Sequence, residues 1–91
     1  TKDVFDTIFD MEFDKFLNKY KSLGFTLNFK QDVKDWIKEQ CFNEKSGVRF
    51  IRNKIQNIIE SVLFESIDDE CKSYTFILQN DKIKCSKYKE I

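Results

Sequence analysis

Between Gly47 and Ile67 apolar residues recur at three- and four-residue spacings: Val48, Ile51, Ile55, Ile58, Ile59 and Val62, widened by Leu63 and Ile67. That is the pattern of a helix buried along one side, with a stripe broader than a coiled-coil seam. A second run, Phe5, Phe9, Phe13, Phe16, Tyr20 and Leu23, flanked by Ile8 and Leu17, predicts a helix over Asp3 to Leu23. Asp3, Asp6 and Asp10 load its early turns and Lys15, Lys19 and Lys21 its late ones, which suits the helix dipole. Gly24 can take the left-handed conformation that stops it. Phe25 to Phe29 then alternates apolar and polar residues like a half-buried strand, with Phe25, Leu27 and Phe29 inward. From Gln31 another helix is expected, with Asp32 and Asp35 near its positive end and Val33, Trp36 and Ile37 inward, fraying at Gln40 to Phe42.

Asn43 to Gly47 reads as a polar loop, and Asp68-Asp69-Glu70 as a solvated turn closing the long helix. Tyr74 to Gln79 and Lys82 to Ser86 are strand-like. Asn80-Asp81 between them tolerates positive φ and predicts a tight hairpin. The tail from Lys87 to Ile91 is expected to be mobile. The expectation is a single α+β domain over residues 1–91, three helices on a three-stranded sheet in the order α-β-α-α-β-β.

Composition narrows the chemistry. Hydrophobic residues make up 41% of the chain and include ten Phe, enough for a core. Sixteen basic residues balance 16 acidic ones, so no net field favours nucleic acid or an anionic membrane. Histidine is absent, and Cys41, Cys71 and Cys85 show no C-x-x-C spacing. That leaves no zinc site and no Ser/Cys–His nucleophile; the thiols read as free groups in a reducing compartment. No apolar run approaches the roughly 18 residues of a membrane span, and no signal peptide opens the chain. With two glycines in all there is no phosphate-cradling G-x-x-x-x-G-K-[ST] loop, and no apolar strand ends in Asp-Glu to hold magnesium. No catalytic or metal-binding residue is assigned.

One bias stands out. Arg49 and Arg52 are the only arginines, both in the first turns of the long helix, while every other basic residue is lysine. A retained guanidinium suggests bidentate contact with a phosphate or carboxylate. An arginine at a helix start opposes the dipole and so asks for a partner. On pattern alone a surface pair with Asp35 or Glu39 is the favoured answer for Arg49.

Gly47-Val48-Arg49, Ile51-Arg52, Ile55-Gln56 and Ile59-Glu60 resemble the GAR-x-L-R-x-x-I-Q-x-x-I-E signature of the Clp family of AAA+ chaperones, of ClpB/ClpC type. The resemblance runs from Phe13 to Cys85, and Phe25 to Ile67 fits without a gap. Departures are Val48 for the usual Ala, Phe50 for Pro, Asn53 for the second Arg of a pair, Cys41 for Gly, and Lys30 where a Thr or Ser cap is usual. The resemblance implies the C-terminal small subdomain, or lid, of the second ATPase module. Gly47 and Arg49 would form the second nucleotide sensor, and Arg52 either a phosphate or a subunit-interface contact. ATP or ADP would be bound mainly by a large AAA+ subdomain, with Mg only in the full-length protein. Implied partners are that large subdomain, in the same chain and in the next subunit of a homohexamer, substrate polypeptides and a Clp protease. The Lys-, Asn-, Ile- and Phe-rich composition without Pro would suit a plastid or apicoplast member, otherwise a bacterial-type cytoplasm. Two other readings stay open: a free-standing protein-interaction module, and a small nucleic-acid binder using Lys82, Lys84, Lys87 and Lys89. Neutral charge counts against the latter.

Overall fold

The computed structural model describes residues 2–42, 47–68 and 70–87, with side chains from residue 4 onward. Helix α1, Lys2–Ser22, buries Phe5, Phe9, Phe13, Phe16 and Tyr20 along one face. It ends in a Schellman pattern, because Gly24 at φ +92° lets its own N–H reach the Lys21 carbonyl (3.0 Å) and the Phe25 N–H reach that of Tyr20 (2.9 Å). Leu23, expected in the apolar stripe, falls in this cap and is 60% exposed.

Strand β1 (Thr26–Phe29) leads into α2 (Gln31–Cys41) and α3 (Val48–Ser66), and the chain closes with β2 (Ser73–Gln79) and β3 (Lys82–Lys87). This is the expected α-β-α-α-β-β order and α+β class. The sheet is mixed: β2 lies in the middle, parallel to β1 and antiparallel to β3. A parallel β1–β2 pair needs a crossover, and the α2–α3 hairpin supplies it. Asn80 and Asp81 both have positive φ, 53° and 59°, as a two-residue primed turn requires. Lys87, assigned to a mobile tail, is instead the last residue of β3 and pairs with Asp68 at 2.9 Å. Residues 88–91 and the loop Asn43 to Ser46 lie outside the described residues.

The core lies between the helices and one face of the sheet. Ile51, Ile55, Ile59 and Leu63 of α3 meet the α1 aromatics, Val33, Ile37 and Cys41 of α2, and Tyr74, Phe76 and Ile83 of the sheet. Phe29 stacks on its cross-strand partner Phe76 with ring centroids 4.5 Å apart. Of the predicted α3 stripe, Ile58 and Val62 are half-buried at its edge, and two members are exposed: Val48 at 40% and Ile67 at 42%. Val48 is the first residue of the helix and Ile67 its extended C-cap, so the chain leaves the core at both places. The turn after α3 is tied down rather than merely solvated. The buried Tyr74 hydroxyl donates to the Cys71 carbonyl and accepts the Asp68 N–H, both at 2.9 Å.

Polar contacts between the helices show their relative directions. Lys34 pairs with Asp10 (3.4 Å) and Lys38 with Asp6 (3.2 Å), so α2 runs antiparallel to α1. Arg52 reaches Glu12 and Tyr20 reaches Glu60, so α3 runs parallel to α1.

Truncating Ile55 or Ile59 to Ala should cost about 2–5 kcal/mol, since each is essentially inaccessible at the centre of the helix seam. Urea or thermal melts of the 91-residue chain check this. A melt unchanged by Ile55→Ala would mean that α3 does not turn this face to the core.

Candidate functional site around the start of α3

Gly47 is the N-cap of α3, extended at φ −90° and ψ −177°, and its carbonyl accepts the Ile51 N–H at 3.3 Å. No side chain caps the helix, and no acidic residue lies in its first turn. The first N–H groups of an α-helix have no partner inside it, so this end presents the positive pole of α3. Helix α2 also lacks a cap bond from Lys30, as expected, but places Asp32 in its first turn, where Oδ1 accepts the Val33 N–H at 2.8 Å. Among the described residues one helix start is complemented by a carboxylate and the other is not.

Arg49 lies in that uncomplemented turn. It is exposed and, among the described residues, has no hydrogen bond or ion pair. The expected surface partners do not engage it, and Asp35 instead accepts from the Gln31 side chain at 2.8 Å. Val48 and Phe50 beside it are 40% and 42% exposed, and Phe42 at the end of α2 is 45% exposed. Gly47 has neither a left-handed φ nor a neighbour within 4 Å of where a Cβ would stand. Its lack of a side chain therefore answers to nothing within the described residues.

Arg52 has a different environment. Its Nε donates to Glu12 Oε2 at 2.9 Å and its Nη2 to Oε1 at 3.3 Å, a two-pronged grip across the α1–α3 seam. The Glu12 side chain is only 3% exposed, whereas that of Arg52 is 56% exposed. The guanidinium holds the Glu12 carboxyl below its ordinary range, against burial that pushes the other way, with Lys15 at 3.5 Å assisting. Eight residues further along each helix, the Tyr20 hydroxyl donates to Glu60 Oε2 at 2.9 Å. Burial, reinforced by Glu60, raises the Tyr20 phenol well above its ordinary value. Sequence reasoning passed over Glu12 altogether. A signal was available: Glu12 sits three residues after Phe9 and four before Phe16, on the inward spacing of α1, where a lone carboxylate needs a cation.

The open depression of about 550 Å³ lined by Phe5, Asp6, Asp35, Lys38, Glu39 and Phe42 is a poor phosphate site, because its acids outnumber its one lysine. Gly47, Arg49 and Arg52 do not line it. Among the described residues no His, Cys, Asp and Glu side chains cluster as metal ligands, and no helix is long and apolar enough to cross a membrane. Cys41 is buried and Cys71 and Cys85 are half-buried; none of the three is in a disulfide, and the Cys71 thiol donates to the Ser73 carbonyl at 3.1 Å. Burial pushes the Cys41 thiol up to about 11.

A helix-on-sheet unit that presents an arginine unpartnered among the described residues at a helix start without a side-chain cap, beside exposed apolar side chains, has the build of an accessory α+β subdomain. The chain belongs to the family of the C-terminal, D2-small domain of ClpB protein, whose family model matches residues 1–73. It is thus a C-terminal subdomain of a Clp AAA+ chaperone, part of an ATPase with the rest of which it interacts. The match spans all three helices, β1 and the first residue of β2. No curated protein matches the chain.

The Glu12 pair makes a prediction about acid. A carboxyl whose folded value lies below its unfolded value near 4.5 stabilises the fold fully above that value. The contribution is lost as pH falls through the folded value. Glu12→Gln should therefore melt lower than the native chain at neutral pH, with the gap narrowing as pH drops below the ordinary carboxylate range. A gap that does not change with pH would mean that Glu12 is not held as a carboxylate.

Proposed function

We propose that this subdomain acts as the lid of an AAA+ nucleotide site, with Arg49 as its second sensor. The guanidinium of Arg49 would contact the terminal phosphate of an ATP bound, with Mg, by the large subdomain of the same chain. The observation that carries the reading is the exposed arginine without a partner on the uncapped, acid-free first turn of α3. Unsatisfied helix N–H groups and a guanidinium side by side suit an anion, and both are too exposed to need one for folding. Gly47 fits the same reading, because its missing side chain would leave room for a phosphate on the side away from this chain. ATP supplies the phosphoanhydride bond that is broken; this chain contributes a fixed positive charge and a surface to pack against.

Arg52, with its fork occupied by Glu12, is the weaker candidate for phosphate, and its exposed edge is left for a subunit contact. The exposed Phe42, Val48 and Phe50 would be covered by the large subdomains of the same and the adjacent subunit in a hexamer. Changes in bound nucleotide would then rotate this domain and move substrate polypeptide, to be refolded or passed to a Clp protease. Three cysteines, none of them in a disulfide, suit a reducing compartment. Alone, the chain would not hydrolyse ATP.

In the Clp ATPase carrying this domain, Arg49→Ala should lower ATP turnover about ten- to a hundredfold, the range of a desolvated charge-assisted contact. Arg49→Lys should recover only part, since it keeps the charge without the fork. Steady-state ATPase read beside melts of the same variants checks both expectations. An Arg49→Ala variant that melts early yet keeps full turnover per folded molecule would make Arg49 structural. Titrating ATP into the 91-residue chain while following Trp36 fluorescence should show neither tight binding nor turnover; sub-micromolar affinity would overturn the lid reading.

A further inference from the structure

We propose that Glu12 is a positioning residue for Arg49, acting through Arg52. The proposal rests on the sensor reading of Arg49 and names the contact that sets where that side chain points. The first turn of α3 has little else to hold it. Gly47 offers no side-chain cap, Val48 and Phe50 are exposed, and Ile51 is the first buried residue. Arg52 follows Ile51 directly and lies one helical turn beyond Arg49, on the neighbouring position of the same side of the helix.

Two hydrogen bonds, from Nε and Nη2 to separate oxygens of one carboxylate, hold the guanidinium in one orientation against α1 and so tie the turn that carries it, which the buried stripe secures only from Ile51 onward. Glu12 can act as the fixed end because it is 3% exposed and lies between Phe9 and Phe16 on the inward spacing of a helix whose aromatic face joins the core. Arg52 cannot, because most of its side chain is in solvent. A shift of α1 along α3 would thus be carried through Glu12 and Arg52 into the turn that bears Arg49. Tyr20–Glu60 joins the same two helices two turns further on and supplies an internal comparison. It supports the seam without touching the first turn.

Two experiments separate positioning from general support. In the 91-residue chain, Glu12→Gln should speed amide exchange at Ile51, the N–H bonded to Gly47, by about tenfold, a local opening rather than global unfolding. Tyr20→Phe should leave that amide unchanged relative to the rest of α3. Equal acceleration in both variants, or none in Glu12→Gln, overturns the proposal. In the Clp ATPase, Glu12→Gln should raise the KM for ATP about five- to tenfold in the native background and have no effect when Arg49 is already Ala, the non-additivity of residues acting through one another. The same loss in both backgrounds would make Glu12 a support of the fold only. If Arg49→Ala alone leaves ATP use untouched, the sensor reading fails, and the exchange at Ile51 still decides whether Glu12 orders the turn.

Discussion

Ile51, Ile55, Ile59 and Leu63 leave water together when α3 closes on the aromatic face of α1 and on the sheet, and every other feature of the molecule depends on that closure. Four fully buried aliphatic side chains on one helix give it the tertiary support that a 19-residue helix needs in water. The same burial brings β1 and β2 side by side, because the crossover between parallel strands is this helix and α2. It also brings a carboxylate of α1 and a guanidinium of α3 to one seam. Hydrophobic burial sets how near the helices come, and the Glu12–Arg52 and Tyr20–Glu60 contacts set their register, since apolar contact is not directional.

The division of labour between the two arginines follows from the same closure. They lie three residues apart on one helix side, yet only Arg52 is gripped by a carboxylate of α1, that of Glu12. Arg52 is consumed by the fold. Arg49, one turn nearer the helix start, has no such partner among the described residues, since Asp10 and Asp6 of α1 pair with Lys34 and Lys38 of α2, and it stands with the positive pole of α3. An arginine there is unfavourable for an isolated domain, which fits the membership of this chain in a family of small domains that work against a larger ATPase.

Much of this was legible in the sequence because period and punctuation agreed. The Phe spacing of α1, the Gly24 stop, the Asn80-Asp81 turn and the α3 stripe each gave one reading, and each element formed within a residue or two of its expected bounds. The misses have physical causes. Leu23, Val48 and Ile67 continue the apolar period past the point where the helix meets a neighbour, and periodicity carries no information about where packing stops. Lys87 looked like tail because its contacts are a strand partner and Asp68, both distant in sequence. The parallel pairing of β1 with β2 depends on the path of the chain rather than on either strand's composition. At the site, the paired arginines were visible but not their partners. Glu12 is 40 residues from Arg52, and only its inward spacing on α1 marked it as unusual. The unpartnered state of Arg49 could not be read from sequence, where Asp35 and Glu39 offered equally good matches.

The central claim is that Arg49 meets the terminal phosphate of ATP, and comparing the affinities of ATP and ADP tests it most directly. Dissociation constants for both nucleotides should be measured on the Clp ATPase carrying this domain, native and Arg49→Ala. The account predicts that ATP binding weakens by about tenfold or more while ADP binding is nearly unchanged, because only ATP carries the phosphate that the guanidinium would grip. Equal weakening of both nucleotides, or no change in either, would contradict it.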